Sequence, residues 1–388
     1  VKEPRARKDN PQAERLPFPC IALLLQGGGA LGAYQAGVYQ ALAEASVLPN
    51  WVAGISIGAI NAAIIAGNPP ETRVAKLRSF WEQITEHSSN PITDLMSQFM
   101  TGDHARSLLN EMSAMRVMAT GAPGFFAPRP VIPFLAPAGV AATSFYDTSM
   151  LKTTLERLVD FDRINAGETH FSVAAVNVRS GNFVFFDNAT HKIRPEHVMA
   201  SGALPPGFGG IEIEGELYWD GGLISNTPLS WVLNATPRRD TLAFQVDLWS
   251  ARGAEPRTMA EVAVRQKEIM YSSRTRAETD HFKQTQRLRY SLARLLEKMP
   301  DELLQDPDAL YLADHADRAR FSIVELIYRS KHYEDQSRDY EFSRLTMEDH
   351  WTAGINDVTR TLRHPEIFQL PTSRDGVSTF DWTESGVG

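Results

Sequence analysis

Residues 20–32 read CIALLLQGGGALG, an apolar run that stops at three consecutive glycines. Cys20 to Gln26 offers apolar side chains to both faces of an extended chain, the pattern of a strand buried on two sides. Gly27, Gly28 and Gly29 follow at its end. Three glycines allow positive φ angles and bring bare N–H groups close to a ligand, at the positive end of the helix read over residues 30–45. A negatively charged group belongs there. The same letters, with Gly32, satisfy G-x-G-x-x-G, the phosphate turn of dinucleotide-binding domains, which pairs with an acidic residue about 20 positions on. Positions 49–55 read PNWVAGI, so the nucleotide reading loses its second anchor.

In place of that acid stands Gly54-Ile55-Ser56-Ile57-Gly58, between a strand at 52–55 and a helix at 57–66. G-x-S-x-G sets a serine on a sharp strand-to-helix turn, where small neighbours permit strained angles and the helix start supplies N–H groups. Ser56 then reads as an exposed nucleophile; the bland alternative is a turn whose serine caps the next helix. A third motif, Asp220-Gly221-Gly222, closes a strand at 216–219. An aspartate at a strand end followed by two glycines points into a crevice that another backbone or a substrate approaches closely, the placement a base requires. Its bland reading is a hairpin turn.

The order and spacing of these three motifs resemble the patatin-like phospholipase family, which combines a glycine-rich oxyanion loop, a G-x-S-x-G serine and a D-G-G or D-G-A aspartate. Residues 200–208, ASGALPPGF, are similar to the family's segment ahead of the aspartate, and the resemblance spans about residues 20–250. It implies a lipid acyl hydrolase with a catalytic dyad of Ser56 and Asp220, an oxyanion hole at Gly27, Gly28 and Gly29, and supporting motif glycines Gly32, Gly54, Gly58, Gly221 and Gly222. No cofactor and no metal are implied. An aspartate is a poor base at its ordinary pKa of about 3.9, so burial should raise it. One departure is visible: Leu31 stands where many relatives carry Lys or Arg.

Two other functions compete. An α/β-hydrolase esterase also uses G-x-S-x-G, in the chain order serine, acid, histidine. Asp187 with His191 or His197 satisfies that order, although both histidines read as solvated and Asp220-Gly221-Gly222 is left without a role. A regulatory or scaffold protein using its C-terminal helices is the non-catalytic alternative, against which the intact nucleophile, base and glycine loop argue.

The 388 residues carry a net charge of -8, which disfavours nucleic acid as a partner, and a single cysteine, which excludes an internal disulfide. Short β-rich runs alternating with small-residue helices predict a three-layer α/β/α hydrolase with a mostly parallel sheet. Further strands are read at 171–179, 182–187 and 241–249. Charged side chains are about twice as dense after residue 250 as before it, so the expected division is a flexible tail at 1–19, a catalytic domain at 20–250 and a charged, mainly helical C-terminal extension at 251–388. In the extension, 259–299 holds neither Pro nor Gly and reads as a long helix bent or broken near Ser272-Ser273, with Val262, Ile269, Leu288, Leu292, Leu295, Leu296 and Met299 on its apolar face, packed on the hydrolase core or on a second copy. A polar helix is expected over 328–351 and a loose end over 371–388. Residues 121–143, GAPGFFAPRPVIPFLAPAGVAAT, read as an apolar loop that is either a lid or wall of the crevice or packs on the extension. The expected partners are a lipid or other acyl-ester substrate, transient contact with a membrane surface, and a second copy of the chain through the C-terminal helices. The expected location is the cytoplasm, with a peripheral membrane association as its variant.

Overall fold

The computed structural model describes residues 16–382 except 87–102, 132, 137–138, 140–141, 332–333 and 335–336. Most of the expected tail at 1–19, and the last six residues of the expected loose end, lie outside the described residues. The chain builds a nine-stranded sheet in the order β11-β10-β9-β1-β2-β5-β8-β7, with β6 beside β5. Its strands are β1 (Cys20–Leu25), β2 (Trp51–Gly54), β5 (His170–Asn177), β6 (Phe183–Asp187), β7 (Ile211–Ile213), β8 (Glu216–Asp220), β9 (Thr241–Asp247), β10 (Phe321–Ile327) and β11 (Val377–Asp381), while β3 (Ala127–Pro128) and β4 (Tyr146–Asp147) form a separate ribbon. From β11 across to β5 every pairing is parallel; β6, β7 and β8 enter antiparallel.

Alternation along β1 explains the layers. Leu23 and Leu25 join the larger core, with α1 (Ala33–Glu44), α2 (Ile57–Ala66), α3 (Pro70–Ile84) and residues of the late helix α11 (Arg344–Thr361). Ala22 and Leu24 face the other way, onto a smaller core that includes Leu229 and Leu233 of α8 (Leu229–Leu233) and Phe282 of α9 (Met259–Leu296). Helices therefore cover both faces, giving the expected three-layer α/β/α fold with a mostly parallel sheet. Between α3 and α8 lie α4 (Asp103–Thr120), α5 (Ser149–Leu158), α6 (Phe161–Asn165) and α7 (Pro195–Ser201); α10 (Pro307–His315) precedes β10.

The C-terminal segment departs from its sequence reading in four ways. It is mainly helical, yet β10 and β11 continue the sheet across the composition step, β10 pairing with β9 over seven residues. The loose end is therefore corrected: Val377–Asp381 is a strand. The helix expected from Tyr328 starts only at Arg344, where the Ser343 hydroxyl accepts the Thr346 N–H at 3.2 Å. The long helix α9 runs unbroken through Ser272, whose hydroxyl donates to the Glu268 carbonyl four residues back. Its packed face is only partly the apolar one: Leu296 is buried and Leu292 and Met299 are half-buried, but Val262, Ile269, Leu288 and Leu295 are exposed, while Glu268, Ser272, Thr279 and Gln286 are buried beside Phe282 and Ala293. Hydrogen bonds keep those polar groups inside, such as Gln286 to the Ala319 carbonyl at 3.0 Å.

Among the described residues no helix is long and apolar enough to cross a membrane, and no group of three or more His, Cys, Asp or Glu could hold a metal ion.

Candidate active site

Strand β5 brings the two sequence motifs together. β2 and β6 occupy opposite edges of β5 around Ser172 and Val173, and β8 pairs further along on the edge that β2 leaves. Gly54 at the end of β2 is opposite Val173, and Asp220 at the end of β8 is opposite Ala175. The points from which Ser56 and Asp220 leave the sheet are thus two residues apart on one strand, roughly 7 Å.

Ser56 has φ 56° and ψ −123°, positive φ in a residue with a side chain. The turn is held by close backbone packing: a Cβ on Gly54 would lie 2.2 Å from the Gly58 carbonyl oxygen, and one on Gly58 would lie 2.2 Å from that of Leu25. The Ser56 N–H donates to the carbonyl and to the hydroxyl of Ser201, each at 3.1 Å. Backbone strain of this kind costs about 1–3 kcal/mol and persists only where the surroundings hold it. Ser56 and Asp220 line the same cavity, where the serine hydroxyl is a polar neighbour that lowers the Asp220 pKa, and the Asp220 carboxylate accepts the Gly222 N–H at 2.7 Å. Asp220 is buried, and burial pushes its pKa up to about 7, against the opposing effect of the Ser56 hydroxyl and the Gly222 N–H.

The glycine loop closes the site from the end of β1. A Cβ on Gly27 would sit 3.1 Å from the Cβ of Ser56, so the loop lies against this serine. The Gly27 N–H is donated to the Asn226 carbonyl at 3.3 Å, which takes it out of the expected set of three free donors. Among the described residues the N–H groups of Gly28 and Gly29 have no protein acceptor. Gly29 has φ +57°, and a Cβ there would lie 2.0 Å from the Asp339 carbonyl oxygen. Gly32 is not at the cavity; it gives room to Ile57 and Trp81. Gly221 lies against the Ala174 carbonyl of β5, and Gly222 lines the cavity. Leu31, in place of a basic residue, is fully buried.

These groups share one cavity of about 450 Å³. Its polar end holds Gly27, Gly28, Gly29, Ser56, Asp220 and Asn226. Its apolar part contains five aromatic rings, Phe125, Phe126, Tyr146, Phe208 and Phe342, with neighbouring centroids 5.1–6.2 Å apart. Phe125 and Phe126 come from the proline-rich loop, whose first part is thus a wall of the cavity and also touches Phe342 of the C-terminal segment. Farther along that loop Phe134 and Leu135 stand exposed, while Ile132 and Val140 lie outside the described residues.

Among the described residues no histidine lines this cavity. His191 is exposed, as expected. His197 is buried, contrary to expectation, because its Nδ1 accepts the Arg194 N–H at 2.9 Å at the start of α7; burial pushes its pKa down to about 4. The Asp187 carboxylate faces His170 and Ser172 instead of either histidine, accepting from the Ser172 hydroxyl at 2.6 Å. Ser201 lies in the 200–208 segment singled out in the sequence, but sequence reading missed Asn226, Trp249, Tyr271, Asp339, Tyr340 and Phe342. Each reaches the site through tertiary packing with no local motif to mark it.

Among curated protein sequences none matches the chain. Its fold is similar to the crystal structure of VipD from Legionella pneumophila, at 16% identity and TM-score 0.40 over 95% of this chain and 73% of that one. It is also similar to the type III effector protein ExoU, at 14% identity and TM-score 0.32 over 91% of this chain and 54% of that one. A third similarity is to the ExoU–SpcU complex of the type III secretion system of Pseudomonas aeruginosa, at 17% identity and TM-score 0.28 over 76% and 59% of the two chains. The family assignment rests on sequence models instead. The one described as patatin-like phospholipase matches residues 23–233, more than half of the chain, and one described as patatin phospholipase matches residues 269–374. The chain therefore belongs to the patatin-like phospholipase family and is a hydrolase of lipid esters.

Proposed function

We propose that this protein cleaves lipid carboxylic esters by a two-step acyl transfer through Ser56, with Asp220 as the only side-chain base. The observation that carries the reading is that Ser56, on its strained turn, shares one cavity with a buried carboxylate on which its hydroxyl acts, and whose pKa burial pushes up to about 7. At that value Asp220 is a competent acceptor near neutral pH, which an exposed aspartate is not.

The Ser56 oxygen attacks the ester carbonyl while Asp220 takes its proton. The tetrahedral oxyanion is held by the N–H groups of Gly28 and Gly29. As the intermediate collapses, Asp220 returns the proton to the departing alcohol and an acyl ester remains on Ser56. Water then attacks that ester while Asp220 takes its proton, and as the second intermediate collapses the bond from Ser56 to the acyl carbon breaks, Asp220 returns the proton to the Ser56 oxygen and the free acid leaves. The five aromatic rings form an apolar wall along which an acyl chain lies, and the aspartate performs the proton transfers a histidine would perform in a triad.

A triad would need His191 or His197. Double replacement, His191→Ala with His197→Ala, is therefore expected to leave kcat for a soluble short-chain ester within about twofold of wild type, measured as acid release. A loss of two orders of magnitude with the protein still folded would refute the aspartate-only scheme.

Exposed apolar residues of α4 and of the proline-rich loop suggest how an aggregated substrate is met. Met118 of α4 lines the cavity and is itself exposed, as are Leu108, Met112 and Met115 on the same helix and Phe134 and Leu135 of the proline-rich loop. In this reading they enter the lipid surface, each large side chain contributing about 1.5–3 kcal/mol if fully transferred. Phe134→Ser with Leu135→Ser is expected to reduce hydrolysis of phosphatidylcholine in vesicles roughly tenfold or more, while hydrolysis of a soluble ester stays unchanged. Equal rates on vesicles would remove the loop from substrate capture.

A further inference from the structure

We infer that the turn at Arg338–Asp339 belongs to the catalytic machinery and that Lys267 of α9 is a positioning residue, setting the oxyanion loop through Asp339. The inference deepens the Ser56–Asp220 reading and rests on it.

The glycine loop is held at its two shoulders. On one side the Gly27 carbonyl accepts from the Asn226 side-chain amide at 2.9 Å and from the Trp249 indole N–H at 3.0 Å. On the other, the Ala30 N–H donates to the Asp339 carbonyl at 2.8 Å. Between these anchors lie the two amides without a protein acceptor, Gly28 and Gly29. The Asp339 carbonyl is also the atom that a Cβ on Gly29 would strike, so wherever Asp339 sits, the backbone of Gly29 must follow.

Asp339 lies in a turn between β10 and α11, outside any strand or helix that would fix it. Two consecutive residues of α9 do so. The Lys267 ammonium donates to both carboxylate oxygens of Asp339, at 2.8 and 2.9 Å. Glu268 accepts from the Arg338 guanidinium at 2.9 Å, in a pair that is almost wholly buried and that Arg265 joins at 3.0 Å. The same Arg338 guanidinium lies 4.9 Å from the ring centre of Trp249, the residue bonded to Gly27. Lys267–Glu268 thus hold Asp339 and Arg338, and the two contacts arrive at opposite ends of the oxyanion loop. Three further residues of the region after residue 250, Tyr271, Tyr340 and Phe342, line the cavity. The composition step at 250 divides the sequence but not the working site.

The chemical consequence follows from what an oxyanion donor needs. Such a donor contributes about 10²–10³ in kcat only when fixed before reaction, and misplacement by about 1 Å costs on the order of 10²-fold. The Lys267–Asp339 pair is about a quarter to a third exposed, 33% and 24%, so its own contribution to folding is small. A positioning role and a merely structural one therefore separate cleanly.

The test uses the full chain with Lys267→Met, which keeps the alkyl stem, and with Asp339→Asn. The readouts are kcat and KM on a soluble ester, inhibition by a trifluoromethyl ketone that adds Ser56 to form an oxyanion, and thermal melting. Expected are a fall in kcat of roughly 10- to 100-fold, KM within about twofold, weakening of the ketone by the same factor as kcat, and a Tm within about 2 °C of wild type. Reversing the pair, Lys267→Asp with Asp339→Lys, is expected to recover most of the kcat. Unchanged kcat and ketone affinity in folded Lys267→Met, or a loss confined to KM or accompanied by an equivalent fall in Tm, would overturn the inference and leave the Ser56 reading intact. Failure of the ketone to add to Ser56 in wild type would instead overturn the parent reading, and this inference with it.

Discussion

Ser56→Ala and Asp220→Asn are each expected to lower kcat for ester hydrolysis by roughly 10⁴-fold or more, and the double variant by little more than either alone. In the proposed scheme the two side chains pass one proton between them: the Ser56 hydroxyl borders the carboxylate at the end of β8, and neither group works without the other. Asparagine keeps the shape of Asp220 but cannot take the proton. The pH dependence carries the same signature. Burial raises Asp220 to about 7, so the reactive carboxylate gains population as pH rises through neutrality. Wild-type kcat/KM should therefore climb with pH, reach half of its plateau near pH 7 and stay level above it. The residual activity of Asp220→Asn should lack that limb. Stability has the opposite sign. A carboxyl whose folded pKa lies above its unfolded value favours folding most when protonated, and that contribution is lost between about pH 4 and pH 7. Above pH 7, Asp220→Asn is expected to be more stable than wild type by on the order of a few kcal/mol, checked by denaturant unfolding. A less stable variant at pH 8 would mean that the carboxylate is not strained in its working form.

Gly29→Val is expected to reduce kcat by roughly 10²–10³-fold with a small change in KM. The native backbone has φ +57° there, which a β-branched residue resists, and its Cβ would meet the Asp339 carbonyl oxygen at 2.0 Å. Either the loop or the Asp339 turn must move, and the bond from the Ala30 N–H to Asp339 goes with it. A control separates this from conformational strain alone. Gly181, at the turn between β5 and β6, has φ +71° and open space around its missing Cβ, so Gly181→Val costs about 1–2 kcal/mol in stability and nothing in kcat. Equal effects of the two substitutions on kcat would remove the oxyanion loop from the account.

The parts of the fold that were legible are those where local sequence and tertiary role agree. β1 and β9 are buried on both faces, β1 reading as a continuous apolar run and β9 as a largely apolar one interrupted by Gln245, and the glycine-flanked turns at Ser56 and Asp220 lie at strand ends. The C-terminal segment was legible only as helical. β10, with FSIVELI, has the apolar run of a buried strand but lies in a charge-dense region, and β11 is short and partly exposed. The face of α9 failed for a physical reason: the helix packs on polar strand ends and on the Arg338–Asp339 turn, so hydrogen bonds and ion pairs decide which side is buried. His197 failed similarly, because a histidine that caps a helix with its ring can be buried neutral. Asp339 and Phe342 lie more than 300 residues from the glycine loop that they touch or face, a distance over which no spacing rule operates.

Covalent labelling with a serine-directed fluorophosphonate, followed by peptide mapping across pH 5–9 in wild type and Asp220→Asn, tests the central claim most directly. The account predicts a single adduct on Ser56, with a rate that titrates near pH 7 in wild type and collapses in Asp220→Asn. An adduct on another residue, none from folded protein, or labelling of Ser56 at the same rate with and without the Asp220 carboxylate would contradict it.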